Sequence, residues 1–194
     1  MADALSTCLP HHPLPRGRHG AATGPAGICL ARREASVATL AARRGAVAAT
    51  LAGLADLLGL AAEDRPVAVA NDRATVLGTA PGRWLVVTPA GDDPEATLAP
   101  LAPVASVVDQ SGAYVLFELS GPALADLLAS LVAVDLDPSV TPANAALTTT
   151  VAHLGVTLWA DGPDCCRVLV GRSLALAFER TIVAVAARHG VDLA

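Results

Sequence analysis

The spacing of hydrophobic positions along this chain changes several times, and each change marks an element. Residues 1 to about 30 keep no period, because Pro10, Pro13, Pro15 and Pro25 are interspersed with Gly17, Gly20, Gly24 and Gly27; an irregular N-terminal arm is predicted. From Ser36 to Ala42, Val37 and Leu40 predict a short strand. Val47, Leu51, Leu54 and Leu58 then recur at helical spacing from about Ala46, and Gly59 stands where that helix would end. Ala74–Gly78 and Arg83–Thr88 predict two strands joined through the Pro81-Gly82 turn signal. Asp93-Pro94 opens a short helix that carries Leu98 and Leu101, Pro100 and Pro103 help to end it, and Val104–Asp109 predicts a strand.

The same order then returns. A strand is predicted at Ala113–Leu119, a helix from Pro122 to about Val132, and strands near Thr148–Trp159 and Cys166–Val170. A last helix is predicted from Leu174 to about Arg188, with Leu174, Phe178, Ile182 and Val185 on one stripe and Ser173 as its N-cap. Two successive β-α-β-β-α patterns, each close to the ferredoxin-like split βαβ unit, predict an α+β fold of two pseudo-repeated lobes with mainly antiparallel sheets. The expected division is an arm over 1–30, a first lobe over 31–110 and a second over 111–194, with the boundary near Gln110-Ser111-Gly112.

Composition narrows what such a fold would do. At 194 residues and 53% hydrophobic, the chain has ample material for a core. Mean hydropathy is +0.52, yet no apolar run reaches the roughly 18 residues of a membrane span. Residues 1–20 lack the apolar stretch of a signal peptide, so a cytoplasmic location is expected. The 13 basic residues are all arginine, the net charge is −5, and only Arg32-Arg33 and Arg43-Arg44 are adjacent, which argues against a nucleic-acid footprint. Cys8, Cys29, Cys165 and Cys166 show no C-x-x-C pairing and fit a reducing compartment.

Candidate chemistry is sparse. At the strand-to-helix break Ser120-Gly121-Pro122, a nucleophile elbow would require G-x-S-x-G, and a dinucleotide or phosphate loop would require further glycines or Gly-Lys. Helix capping accounts for all three residues, with Ser120 or Gly121 as N-cap and Pro122 at N1. Cys8, His11, His12 and His19 are metal-ligand types, but the prolines among them match no closed zinc pattern, and no metal is assigned. His153 is expected within an apolar strand, and His189 at a helix C-terminus. Asp109, Asp126, Asp135 and Asp137 form no acid–base pair. Arg83, Trp84, Arg172 and Ser173 are candidates to line a small-molecule pocket, and each also has a structural explanation as a strand start or a cap. No catalytic or cofactor-binding residue emerges. The arm, through His11, His12, Pro13, Arg16, Arg18 and His19, has the composition of a segment that orders against a partner.

Several stretches carry a family resemblance. "LFELSGPALADLLASLVAVDLDP", followed by "TTTVAHLGVTLWADGPDCCRVLVGRSLALAFER", resembles the γ subunits of heterotetrameric sarcosine oxidase. The matching motifs are Leu119-Ser120-Gly121-Pro122, Asp135-Leu136-Asp137-Pro138, the Ala152–Trp159 strand and Arg172-Ser173. "PGRWLVVTP" and "VVDQS" add to them in the first half. The chain departs from the family at Gly112-Ala113-Tyr114, at Leu131–Val134 and at Thr141-Pro142-Ala143-Asn144. The resemblance implies a structural, non-catalytic subunit that assembles with α, β and δ subunits. It implies a complex that oxidatively demethylates sarcosine to glycine, yielding hydrogen peroxide and 5,10-methylenetetrahydrofolate. FAD, FMN, NAD and zinc would sit on the other subunits, and none on this chain. These γ subunits also resemble folate-binding aminomethyltransferase-like domains, which implies the alternative of a small-molecule site on this chain; no Y-x-G-E-like or K-G-C-Y-x-G-Q stretch is present to supply one.

Overall fold

The computed structural model describes residues 14–20, 24–162 and 164–194. Two short strands come first, β1 (Gly17–His19) and β2 (Ile28–Arg33). Two units with identical element order follow. The first runs β3 (Ala35–Ala42), α1 (Val47–Leu58), β4 (Ala68–Ala70), β5 (Thr75–Ala80), β6 (Arg83–Pro89), α2 (Pro94–Leu98) and β7 (Ala105–Asp109). The second runs β8 (Tyr114–Ser120), α3 (Leu124–Leu131), β9 (Ala146–Val151), β10 (Leu154–Ala160), β11 (Cys165–Gly171), α4 (Ala175–Ala186) and β12 (Val191–Leu193). The α+β class and the internal repeat expected from the pattern are present; the first repeat gains β4 after its first helix, and in the second the strand expected over Thr148–Trp159 is two, β9 and β10, with β12 added at its end.

The sheets carry the same repeat. The first unit forms a five-stranded sheet, β4-β5-β6-β3-β7, and the second a seven-stranded one, β1-β12-β2-β8-β11-β10-β9. Matching strand for strand, the second sheet is the first with β2 inserted between β8 and β12 and β1 added outside β12. β2 and β12 run parallel, and every other ladder is antiparallel. Glu34 alone separates β2 from β3, so the chain passes from one sheet to the other within one residue. In the division expected from sequence, β2 straddles the arm and the first lobe; in space it belongs with the second unit. Within the stretch expected to be irregular, Gly17–His19 is a strand on β12.

Side-chain alternation builds three cores from two sheets. Ala38, Leu40, Val76, Trp84 and Val86 pack under α1 and α2 with Leu54, Leu58, Leu98 and Leu101. Ile28, Leu30, Phe117, Leu119, Val168 and Val170 pack under α3 and α4, where the Phe117 and Phe178 rings lie 4.9 Å apart. The opposite faces meet through Val37, Leu77, Leu85, Val87, Leu116, Trp159 and Leu169. The result is four layers, with helices outside and the two sheets back to back. Among the described residues, no helix is long and apolar enough to cross a membrane.

Local expectations fare unevenly. Asp93 caps α2, accepting from the Ala96 N–H at 2.9 Å, with Pro94 in the first turn. Gly59 ends α1 at φ 69° and donates to the Ala55 carbonyl. At the other two helices the expected caps are absent. α3 starts only at Leu124 and α4 at Ala175, neither with a side-chain cap, and Ser173 lies in a short 3-10 turn before α4. Ser120 is instead the last residue of β8. Gly121, at φ 123°, is where that strand crosses the Gly27 segment, and a Cβ there would stand 2.4 Å from the Gly27 carbonyl oxygen. Close backbone approach, rather than capping, therefore explains the glycine. His153 is also displaced from its expected strand interior. With Ala152 it makes the positive-φ turn (69° and 47°) between β9 and β10.

Candidate functional site

The residues that carry the motifs converge on the chain's own backbone. Where the first unit hands over to the second, Asp109 accepts from the Ser111 N–H (2.9 Å) and hydroxyl (2.6 Å), and the Ser111 oxygen accepts from the Val37 N–H at 3.0 Å. Those hydrogen bonds hold the Asp109 carboxyl below its ordinary range. From the other side Arg172 donates to the carbonyls of Gly112 (2.6 Å), Ser111 (3.1 Å) and Tyr114 (3.0 Å). The D-x-S and R-S stretches, some sixty residues apart in sequence, thus form one clamp on the crossover. Asp135 and Asp137 behave alike, accepting from the N–H groups of Asp137 and Ser139 at 2.9 and 2.8 Å. This is turn chemistry, as expected.

The pocket candidates do not assemble. Trp84 is buried in the first core and donates its indole N–H to the Glu63 carbonyl at 2.8 Å. Arg83 lies at the surface beside Arg44, Asp64 and Gly82, and Arg172 is committed to the crossover. Of the arm residues, His11, His12 and Pro13 lie outside the described residues, as does Cys8. Arg16 is exposed. Arg18 stands opposite Asp192 in the β1–β12 ladder and donates to the Pro25 carbonyl at 3.2 Å. His19 hydrogen-bonds the Pro15 carbonyl at 2.7 Å. The described part of the arm therefore engages its own chain.

A charged cleft that sequence spacing did not single out lies where β2 passes into β3. About 280 Å³ in volume, it is bordered by Arg33, Glu118 and Arg167 from one sheet, and from the side of the other by Thr75 of β5 and by Asn71 and Arg73 in the connection between β4 and β5. Arg33 donates to Glu118 at 2.8 Å, Arg167 to Asp161 at 2.7 Å, and the Arg167 Nε lies 3.8 Å from Glu118. The hydrogen bond from Arg33 is the main reason the Glu118 carboxyl is held below its usual range. Strand register makes this group: Ala31, Glu118 and Arg167 are aligned across β2, β8 and β11. No single-strand motif could reveal residues so far apart in sequence.

Glu118, Asp161 and Cys165 place one ligand atom each within 4.8 Å of one another. The donor set does not fit a resident cation, because guanidinium groups already neutralise both carboxylates. Burial and the nearby carboxylates raise the Cys165 thiol above its normal value, away from the thiolate a metal needs. Its neighbour Cys166 faces the core, where desolvation pushes it up to about 12. Nothing in the cleft pairs a nucleophile with a base. Its arrangement suits the pairing of charge at a polar surface.

Comparison with known proteins fits this picture. Residues 43–187 match the family model described as "Sarcosine oxidase, gamma subunit family". A sarcosine oxidase subunit gamma from Arthrobacter sp is 31% identical over 169 residues, covering 84% of this chain and 83% of that protein. Among solved structures, a chain of the heterotetrameric sarcosine oxidase from Corynebacterium sp. U-96 superposes with a TM-score of 0.74 at 23% identity, covering 88% of each. The glycine cleavage system aminomethyltransferase T from Bartonella henselae superposes at 0.59 with 15% identity, over 87% of this chain and 48% of that one. At those identities the two structures speak to the fold alone.

Proposed function

Since the chain belongs to the sarcosine oxidase gamma subunit family, we propose that it is the non-catalytic structural subunit of a cytoplasmic heterotetrameric sarcosine oxidase. The observation that carries this reading is the use to which the motif residues are put. Trp84, Asp109, Ser111, Asp135 and Arg172 all bond to backbone groups of their own chain, and none borders the charged cleft. A family whose recognisable residues maintain a scaffold is suited to presenting surfaces. In this reading the partners are the α, β and δ subunits. The complex converts sarcosine to glycine, with hydrogen peroxide and 5,10-methylenetetrahydrofolate as the other products. FAD, FMN, NAD and zinc reside on the partners.

Co-expression with the three partner subunits tests it. The expected result is one assembly by size-exclusion chromatography, with a flavin spectrum carried by the assembly. The purified chain alone is expected to be colourless, to show no sarcosine oxidation and to retain no tetrahydrofolate in equilibrium dialysis. A chain that elutes by itself, while the other three keep full activity and stability without it, would sink the proposal. Micromolar binding of tetrahydrofolate by the isolated chain would instead favour a folate-binding domain.

A further inference from the structure

The internal repeat makes the two sheets comparable edge by edge, and one edge stands out. β7 occupies in the first unit the place that β12 occupies in the second. β12 is flanked on both sides, by β2 in parallel and by β1 antiparallel. β7 pairs with β3 on one side, and among the described residues nothing pairs with the other. The remaining edges are accounted for. β4 and β9 approach each other, with Val67 bridging Ala145, the Ala68 N–H bonded to the Asn144 carbonyl (2.7 Å) and the Ala146 N–H to that of Pro66 (2.9 Å). β1 is only three residues long, too short to recruit another strand.

The hydrogen-bond phase of β7 fixes what its outer side presents. The Gln110 N–H donates to Val37 and the Arg43 N–H to Val104 at the two ends of the ladder. In an antiparallel pair bonding alternates, so 104, 106, 108 and 110 face β3, while the N–H and C=O groups of Ala105, Val107 and Asp109 face outward. Among the described residues, Val108 is one of three large hydrophobic side chains left exposed, at 47%. The strand carries no proline or lysine of the kind that blunts an edge.

We propose that the outer edge of β7 is an assembly site, where an extended segment of a partner subunit adds antiparallel as a sixth strand, as β1 adds to β12. This rests on the subunit reading above. The occupant is an extended segment with no proline at its bonding positions. It bears an apolar side chain beside Val108 and a basic one near Asp109. Main-chain hydrogen bonds supply the docking and these side chains the register.

Hydrogen exchange on the full chain, alone and in the co-expressed heterotetramer, tests the site. The amides of Ala105, Val107 and Asp109 are expected to exchange quickly in the isolated chain and to slow by roughly a hundredfold or more on assembly. Val108→Glu is expected to leave the melting temperature of the isolated chain unchanged and to lower the yield of the complex. A complex whose three edge amides exchange as fast as in the free chain overturns the inference and leaves the subunit reading standing. Amides already protected in the isolated chain overturn it too, because the edge is then covered by residues 1–13 or by a second copy. A chain that never enters the complex overturns both.

Discussion

At single positions, the fold depends on contacts with the backbone. Replacing Gly121 by alanine would set a Cβ against the Gly27 carbonyl at a φ of 123°. Strain and overpacking together should cost roughly 2–5 kcal/mol. Gly155→Ala, which meets nothing within 4 Å, is the matched control; urea midpoints should fall for the first and barely move for the second. Arg172→Ala removes three hydrogen bonds from the crossover. Because the side chain is exposed, the expected loss is only about 1–2 kcal/mol, and Arg172→Lys should not restore it, since a point charge cannot span three carbonyls. Little of this was legible in the sequence. Ser120-Gly121-Pro122 satisfies the grammar of a helix cap, and only the crossing of Gly27, over ninety residues earlier, gives its glycine another purpose.

Among elements, long periodic segments declared themselves and short ones did not. α1, β5, β6 and β8 follow from their hydrophobic spacing almost to the residue. β1, β4 and β12, at three residues each, are too brief to show any period, and β2 reads Ile-Cys-Leu-Ala-Arg-Arg with no turn signal to part it from β3. The charged cleft shares that obscurity, because strand pairing alone brings Arg33, Glu118 and Arg167 together. Its electrostatics give a pH test. Glu118 is held below the ordinary glutamate value of about 4.3, first by the hydrogen bond from Arg33. The stability it contributes is therefore present above about that pH and lost as pH falls through the lower folded value. Glu118→Gln should destabilise at pH 7, and the gap to the natural sequence in denaturant midpoint should narrow toward pH 3. A gap that stays constant with pH would mean that the pairing contributes nothing.

For the whole molecule, the third core decides whether two repeats behave as one body. Trp159, 3% exposed, lies between the sheets with Leu77, Leu85 and Leu169. Trp159→Ala should cost roughly 3–5 kcal/mol, and calorimetry should then show two unfolding transitions in place of one as the units uncouple. The insertion of β2 into the second sheet also orders events in time. During synthesis the first unit can close once Asp109 has emerged, but the apolar Ile28 and Leu30 must wait for β8 and then for β12, over a hundred and fifty residues behind them. From Asp109 to β12 about eighty residues remain, and at about 5–20 residues per second that is on the order of four to sixteen seconds. For that interval the nascent chain carries a finished half joined to an unsheltered, strand-forming segment, and this is when a chaperone, or a partner made alongside it, would matter most.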